Sequence, residues 1–180
     1  MIEIKTKRLT LRPLGMRYLQ TVHVYASDLE NTKYMTRLPN QSLDETKEFL
    51  SSSDREWESE KPSFYEFAIL YQNGHIGAVS LYLNEDRSAE AGWILNKKYW
   101  KQGFAYEAAS GLLDFAVREL QIRHFIAHCD SENAASYKVM ERLGMSRVNV
   151  SGGRKNRASD EERMEYRYEL HVDQTALSSQ

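Results

Sequence analysis

The dipeptide Asn73-Gly74 lies between two apolar runs, "SFYEFAILYQ" and "HIGAVSLYLN", and this arrangement restricts the fold more than any other feature. Asn-Gly is typical of type I′ turns, whose two central residues need φ > 0 and which join neighbouring antiparallel strands. A third apolar run, Ala89 to Leu95, follows the turn-like segment "NEDRS". The sequence therefore predicts an antiparallel meander of three strands in the middle of the chain.

A helix and a further strand follow the meander. Apolar residues recur at three- and four-residue steps from about Gly103 to Leu120, which is typical of an amphipathic helix. The run "RHFIAHC", from Arg123 to Cys129, is typical of a short buried strand. A right-handed crossover through the helix makes this strand parallel to the third strand of the meander. We expect an α/β (α+β) fold: one mixed, mostly antiparallel, twisted sheet with helices on both faces.

The N-terminal part of the chain predicts one strand and two helices. Loose alternation from Ile2 to Leu11 is typical of a half-buried strand, which Pro13 ends. The first helix is expected from Met16 to Ala26. The second is expected from Ser42 to about Glu58, because Glu45 stands three residues after Ser42 and completes a capping box.

The C-terminal part predicts a short helix, a loop and a last strand. The helix is expected from Asp130 or Ser131 to Gly144, since glycine is the usual residue after a helix end. The segment "SGGRKNRASDEE" is polar and contains glycine, so it predicts a loop, and alternation from Met164 to Val172 predicts the last strand. We therefore expect one domain over residues 1–172 and a flexible tail over 173–180.

Charge and composition exclude several classes of partner. The formal net charge is -2 and the pI is about 6.2, so there is no overall basic field to attract nucleic acid or an anionic membrane. No segment approaches the roughly 20 apolar residues that cross a bilayer. Cys129 is the one cysteine, and the N-terminus lacks the apolar run of a signal peptide. We expect a cytoplasmic protein that binds neither nucleic acid nor membrane.

The segment "KYWKQGFAYEA" places a glycine and several cations at the start of the predicted long helix. A helix N-terminus carries unpaired N–H groups and about half a positive charge, so it favours anions, phosphate above all. Gly103 lets a ligand approach the backbone, and Lys97, Lys98 and Lys101 supply positive charge. The alternative, an ordinary solvated lysine cluster beside a common glycine, stays open on these residues alone.

Together the meander, the segment "GWILNKKYWKQGFAYEAA" and the segment "DSENAASYKVMERLGM" resemble the GNAT-type N-acetyltransferase family. The opening "TKRLTLRPL" and the final "YRYEL" are similar to the branch that acetylates N-termini of ribosomal proteins. The family's cofactor motif is Q/R-x-x-G-x-G/A. This sequence departs from it at Trp100, which replaces Q/R, and at Lys101, where a further glycine is frequent.

The resemblance implies the GNAT-like acyl-CoA N-acyltransferase fold, with acetyl-CoA as donor and an amine as acceptor. It implies that the diphosphate lies on the backbone N–H groups of Lys101, Gln102, Gly103, Phe104 and Ala105. The pantetheine arm is expected to pair with Ile94 and Leu95, where the family's sheet splays open, and Trp93 is expected to line that gap. Asn133 is expected to bind the pantetheine or the diphosphate, unless it is simply a first-turn helix residue.

Transfer of an acetyl group to an amine needs a base, stabilisation of the developing oxyanion and a proton for the departing thiolate. Glu90 matches the glutamate that removes the amine proton in many family members; the alternative is a surface carboxylate facing a lysine. Ser136 matches the family's N-x-x-S pattern as the acid, and Tyr137 is the other candidate or a core aromatic. Glu107 is expected to tune the helix dipole or to pair locally.

No metal is expected, because His124 and His128 lie roughly 13 Å apart along a strand and have no third ligand at metal spacing. Cys129 is expected to be a buried structural thiol on the sheet face opposite His128.

The acceptor is expected near Tyr34 to Pro39 and Gly152 to Glu162. The resemblance implies a primary amine, above all a protein N-terminal α-amine, and the alternative is a small molecule such as a polyamine or aminoglycoside. A non-catalytic acyl-CoA binding module is the alternative, and either a monomer or a homodimer is compatible with the sequence.

Overall fold

The computed structural model describes residues 2–173, and eight strands within this range form a single sheet. The predicted tail lies outside the described residues except for Asp173. The strands are β1 (Ile4–Lys5), β2 (Leu9–Pro13), β3 (Phe64–Tyr71), β4 (Gly74–Leu83), β5 (Ser88–Leu95), β6 (His124–Asp130), β7 (Ser146–Lys155) and β8 (Glu162–His171). The helices are α1 (Leu19–Ala26), α2 (Leu29–Thr32), α3 (Leu43–Glu58), α4 (Phe104–Glu119) and α5 (Ala134–Arg142).

The strand order is β1-β2-β3-β4-β5-β6-β8-β7. Every neighbouring pair is antiparallel except β5 and β6, which α4 connects as a crossover. One apolar core, which includes Leu112 of α4 and Met140 of α5, covers one face of the sheet. A second core, which includes Val22 of α1 and Leu50 of α3, covers part of the other face. The predicted mixed, mostly antiparallel sheet with helices on both faces is confirmed.

The predicted hairpin is confirmed, but its turn lies one residue earlier than Asn73-Gly74. Gln72 and Asn73 have φ values of 49° and 64°, so they are the central pair of the turn. Gly74 already belongs to β4 and faces Tyr71 of β3. Asparagine tolerates the left-handed conformation, and glutamine accepts it here because the strand pairing determines where the chain turns.

The single N-terminal strand predicted from Ile2 to Leu11 is wrong, because the chain turns back between β1 and β2. The hydroxyl of Thr6 accepts a hydrogen bond from the Leu9 N–H at 3.0 Å and thereby closes this turn. The short helix α2 was not predicted. The capping box is only partly formed: Ser42 accepts from the Glu45 N–H, whereas the Glu45 carboxylate accepts from Gln41.

The C-terminal part holds a strand that the sequence did not indicate. β7 pairs with β8 at the edge of the sheet, and its first residues precede the segment predicted as a loop. The loop prediction is wrong for residues 151–155, which belong to β7, and for Glu162, which begins β8. Nine of the ten residues of β7 are exposed, so no apolar alternation marks it. Within residues 2–173, no helix is long and apolar enough to cross a membrane.

Candidate active site

A gap opens in the middle of the sheet, between the parallel strands β5 and β6. Their pairing ends at Glu90 and Ile126, yet β5 continues to Leu95 and β6 continues to Asp130. The strands therefore separate over their last residues. The N-termini of α4 and α5 follow these two strand ends in the chain, so both helices begin close to the gap.

The backbone of β5 presents some of its polar groups to this gap. The Asn96 N–H bonds to Ile76 of β4 at 2.8 Å, so by antiparallel alternation the groups of Ile94 face β4 and those of Leu95 face the gap. The Leu95 carbonyl already accepts hydrogen bonds from Asn31 Nδ2 at 2.9 Å and Trp100 Nε1 at 3.0 Å. The Leu95 N–H and the backbone of Trp93 are the groups left to face the gap.

The start of α4 is shaped as the motif predicts. Gly103 is the N-cap with φ of 78° and provides no capping side chain, so the first N–H groups of the helix stay free of a side-chain cap. Lys101 also adopts a left-handed φ, 60°, at the position where the family often has glycine. These backbone amides and the helix dipole fit a diphosphate.

The three predicted lysines divide into two groups. Lys97 Nζ lies 2.8 Å from carboxylate oxygens of both Asp28 and Glu30, so its charge is neutralised. Lys98 and Lys101 are exposed, and no carboxylate within residues 2–173 lies within 4.0 Å of either. Lys98 and Lys101 are therefore the cations that remain available to an anionic ligand at this helix start.

Arg8 completes the helix start, and the sequence indicated it only within the opening stretch of the resemblance. Its Nη1 donates to the Gln102 carbonyl at 3.0 Å, and its guanidinium stacks on the Phe104 ring at 4.4 Å. Arg8 Nε also bonds to Glu107 at 2.6 Å, and the Thr6 hydroxyl donates to the same carboxylate at 2.7 Å. These bonds support the interpretation that Glu107 pairs, although its partners lie about a hundred residues earlier in the chain.

The ionisation of Glu107 fits this role. Burial works against its charge, but the hydrogen bonds from Thr6 and Arg8 outweigh burial and hold the pKa of the carboxyl below its usual value. A charged Glu107 in the first turn also interacts favourably with the helix dipole. Glu107 therefore links the start of α4 to the connection between β1 and β2.

Glu90 lies at the inner end of the gap and faces His128 of β6, not a lysine. The distance from His128 Nδ1 to Glu90 Oε1 is 3.1 Å, and 48% of the Glu90 side chain is exposed. The hydrogen bond from His128 lowers the pKa of Glu90, and the same bond raises the pKa of His128. Glu90 is therefore a charged carboxylate that solvent and ligands can reach.

The two candidate acids differ in their surroundings. Ser136 is half-buried on α5, and its hydroxyl makes no hydrogen bond within residues 2–173. The Tyr137 ring packs against the large core and lies 5.9 Å from the Tyr166 ring. Asn133 is the N-cap of α5, with its side-chain oxygen accepting from the Ser136 N–H at 3.2 Å. α5 therefore begins at Ala134 and not at Asp130 or Ser131.

Beside the gap, on the sheet face that carries α1 and α3, part of the two central strands is left uncovered, and this uncovered surface is termed the cleft. Ser80 and Gly92 lie on the central strands β4 and β5, yet both are partly exposed. A side chain at Gly92 would begin 2.9 Å from Ser80 Oγ, so the glycine leaves the floor of this cleft bare. Tyr82, 37% exposed, and Glu90 stand opposite each other at one end of it.

Both segments predicted to contact the acceptor are held together beside this cleft. Asn156 Nδ2 donates to the carbonyls of Thr32, Met35 and Leu38 at 2.8, 2.7 and 3.1 Å. Arg154 Nη2 donates to the Tyr34 carbonyl at 3.0 Å. These contacts hold the segment after α2 against the β7–β8 hairpin, so the two segments together form one side of the cleft.

Cys129 and the histidines behave in different ways. Cys129 is buried, and burial raises the pKa of its thiol to about 11, which makes it unreactive and confirms the structural interpretation. His124 does not act with His128; it lies with Glu169 and His171, and their ligand atoms are within 4.8 Å of one another. The His124 and His171 rings stack with their centroids 4.0 Å apart. Arg167 also forms an ion pair with Glu169, so a positive charge is already present at this cluster.

Comparison with known proteins agrees with this arrangement. Residues 8–146 match the family described as the acetyltransferase (GNAT) domain, and the chain belongs to this family. It is an N-acetyltransferase of the family that uses acetyl-CoA. The chain is 32% identical over 151 residues to the uncharacterized N-acetyltransferase YnaD of Bacillus subtilis, a match that covers 81% of this chain and 84% of YnaD.

Solved structures share the whole architecture. An acetyltransferase (GNAT family) from Bacillus anthracis has a TM-score of 0.79 and 27% identity, with 94% of this chain and 98% of that chain covered. RimL, a ribosomal L7/L12 α-N-protein acetyltransferase in complex with coenzyme A, has a TM-score of 0.79, and the match covers 96% of this chain and 99% of RimL. At 18% identity, RimL is similar in fold alone. The predicted fold, enzyme class and family are confirmed.

Proposed function

We propose that this enzyme moves the acetyl group of acetyl-CoA to a primary amine, above all the α-amine of a protein N-terminus, by direct attack in a ternary complex. The observation that carries the proposal is the gap between β5 and β6, with the uncapped start of α4 at its outer end and the charged Glu90 at its inner end. A small-molecule amine such as a polyamine or aminoglycoside is the alternative acceptor.

The donor would be bound by backbone groups and two lysines. Acetyl-CoA supplies a thioester, a reactive acyl donor, when it is bound. Its diphosphate would lie on the N–H groups from Lys101 to Ala105, and its pantetheine arm would pair with the Leu95 N–H and the Trp93 backbone. Ile94 would contribute side-chain contact only, since its backbone faces β4. Asn133 keeps its amide nitrogen free to donate, because its oxygen caps α5. Lys98 or Lys101 would bind the 3′-phosphate.

The acceptor chemistry follows from the charges in the cleft. A protein α-amine has a pKa of about 7.7 to 8.0, so roughly a tenth is neutral at pH 7, whereas a lysine near 10.4 is neutral less than about one time in a thousand. Glu90 is charged and exposed, so it is able to accept the proton that the amine loses. The acyl group would not visit Cys129, whose buried thiol holds its proton.

Ser136 would return a proton to the departing thiolate. Its hydroxyl makes no hydrogen bond within the described range, whereas the Tyr137 ring packs in the core.

We further propose a single domain over residues 1–172, supported by one sheet that runs from Ile4 to His171. A cytoplasmic location is proposed because the one cysteine is buried and unpaired. A monomer or a homodimer remains part of the proposal.

The first experiment is a calorimetric titration with acetyl-CoA and, in parallel, with 3′-dephospho-coenzyme A. We expect saturable binding of both, weaker for the dephospho form. An amine panel then follows, with N-terminal peptides, free lysine, polyamines and aminoglycosides as acceptors. Transfer to peptide α-amines supports the proposal. Binding of acetyl-CoA without transfer to any amine would favour the non-catalytic module, and absence of binding would refute both.

A further inference from the structure

Tyr82 and Glu90 are neighbours on the floor of the acceptor cleft. They are directly opposite each other on the antiparallel strands β4 and β5, so their side chains share one face with Cβ atoms about 5 Å apart. Both side chains are exposed to a similar extent, 37% for Tyr82 as a residue and 48% for the Glu90 side chain. A ligand that reaches Glu90 therefore also reaches Tyr82.

The hydroxyl of Tyr82 is hydrogen-bonded to a buried carboxyl. Its oxygen lies 2.9 Å from Glu66 Oε1, and Glu66 is only 6% exposed. Burial and the neighbouring Glu66 raise the pKa of Tyr82, so the phenol keeps its hydrogen. Burial also raises the pKa of Glu66 to about 8, so near neutral pH the carboxyl is able to carry a proton and to donate this bond as well as to accept it. In either direction of the bond, Tyr82 Oη keeps a lone pair that accepts from a ligand in the cleft.

We infer that Tyr82 and Glu90 form a two-point subsite for the N–H groups of a primary amine, with Glu66 as the positioning residue that turns the Tyr82 hydroxyl. The inference rests on the proposed function and names the residues that select a primary amine. A primary amine has two N–H groups and one lone pair. With one N–H on Tyr82 Oη and one on Glu90, the lone pair is directed away from both oxygens, towards the gap that would hold the thioester.

The proton balance of the transfer fits this arrangement. The nitrogen lone pair forms the new N–C bond while the C–S bond breaks and its electron pair stays on sulfur. The N–H held by Glu90 gives its proton to that carboxylate, which then releases it to water. The thiolate takes a proton from the Ser136 hydroxyl, which takes one from water in turn. The N–H held by Tyr82 remains in the amide product. A secondary amine has one N–H, which Glu90 needs, so it leaves Tyr82 without a partner.

Bare Gly92 gives this subsite its space. The glycine lies two residues after Glu90 on the same face, and it faces Ser80 across the strands. A side chain there would meet Ser80 Oγ at 2.9 Å and would fill the position beside the amine. The floor of the cleft therefore admits a nitrogen and its first carbon next to the two acceptor oxygens.

The test compares a primary amine acceptor from the panel with its N-methyl analogue. The wild-type enzyme is expected to prefer the primary amine, and Tyr82→Phe is expected to lower kcat/KM for it about tenfold while leaving the N-methyl analogue within about twofold. Glu66→Gln keeps an acceptor for the Tyr82 hydroxyl and is expected to retain the preference. Glu66→Leu is expected to lose it as Tyr82→Phe does.

The control variant is Tyr65→Phe. Tyr65 precedes Glu66 on β3, but its ring packs against Trp57 at 5.4 Å, and its hydroxyl makes no hydrogen bond within residues 2–173. It should match wild type with both acceptors. Titration with acetyl-CoA and thermal unfolding establish that each variant is folded. The inference would be overturned if Tyr82→Phe lowered kcat/KM equally for both acceptors, or if it left the preference for the primary amine unchanged. Wild-type enzyme that acetylates no amine would instead refute the proposed function.

Discussion

Lys101 combines a strained backbone with a free charge, and two substitutions separate these contributions. Its φ of 60° lies in the left-handed region, which costs an L-residue roughly 1–2 kcal/mol compared with the right-handed one. Glycine avoids this cost. Its greater freedom in the unfolded chain, however, lowers the free energy of unfolding by about 0.4–1 kcal/mol. Lys101→Gly should therefore be more stable than Lys101→Ala by about 0.5–1 kcal/mol, a difference of about 1 to 4 °C in Tm.

The comparison between the two variants isolates the backbone, because both lack the lysine charge. Thermal unfolding followed by circular dichroism, with urea unfolding as a second measurement, gives the free energy of unfolding of each. An alanine variant as stable as the glycine variant would refute the reasoning from φ. That result would mean that the chain around residue 101 relaxes to another conformation at no cost.

The charge is measured by comparing Lys101→Ala with wild type, since both carry a side chain at the same φ. An exposed cation contributes up to about 1 kcal/mol, so the affinity for acetyl-CoA should fall by a few-fold. If Lys101 binds the 3′-phosphate, the affinity for 3′-dephospho-coenzyme A should not change. An equal loss for both ligands would assign the charge to the diphosphate.

The other predictions concern the proposed chemistry. Glu90→Gln should lower kcat by about a hundredfold for strongly basic amines and less for peptide α-amines, since the latter need little help from a base; a pH series of initial rates measures this. Ser136→Ala should lower kcat without changing the KM for acetyl-CoA, whereas Tyr137→Phe should stay active; steady-state kinetics with both variants decides between the two acids. His128 has a raised pKa, so its bond to Glu90 stabilises the fold below pH 6.5 and is lost as the pH rises through the raised value. The stability that comes from ionised Glu90 is fully present above pH 4.5. It is lost as the pH falls through the lowered pKa of Glu90. His128→Asn should therefore destabilise the enzyme more at pH 6 than at pH 9, by under about 1 kcal/mol because Glu90 is half exposed; urea unfolding at the two pH values measures the difference.

The roles that the family resemblance implies for the site residues stay predictions, and the side-chain partners of these residues were not predictable from the sequence. The alternation in "HFIAHC" puts His128 on a definite face of β6, but nothing in it indicates Glu90, 38 residues earlier, as its partner. The position of Asn133 before a helix was recognisable, while its role as the N-cap depended on where α5 begins. No pattern in the sequence indicates the pair Tyr82 and Glu66, because a buried carboxyl is apparent only from the packing around it.

The sequence by itself determined the central part of the fold, namely the hairpin, the crossover and the start of α4, because periodicity, turn residues and capping depend on neighbours in the chain. Tertiary structure alone decided the edge strand β7, the bond between Arg8 and Glu107, and the side of the cleft that Asn156 holds together, 124 residues from Thr32. An edge strand with both faces in solvent has no apolar pattern to reveal it. Contacts between distant residues depend on strand register and on which buried groups need hydrogen bonds, and these are set only when the whole sheet forms.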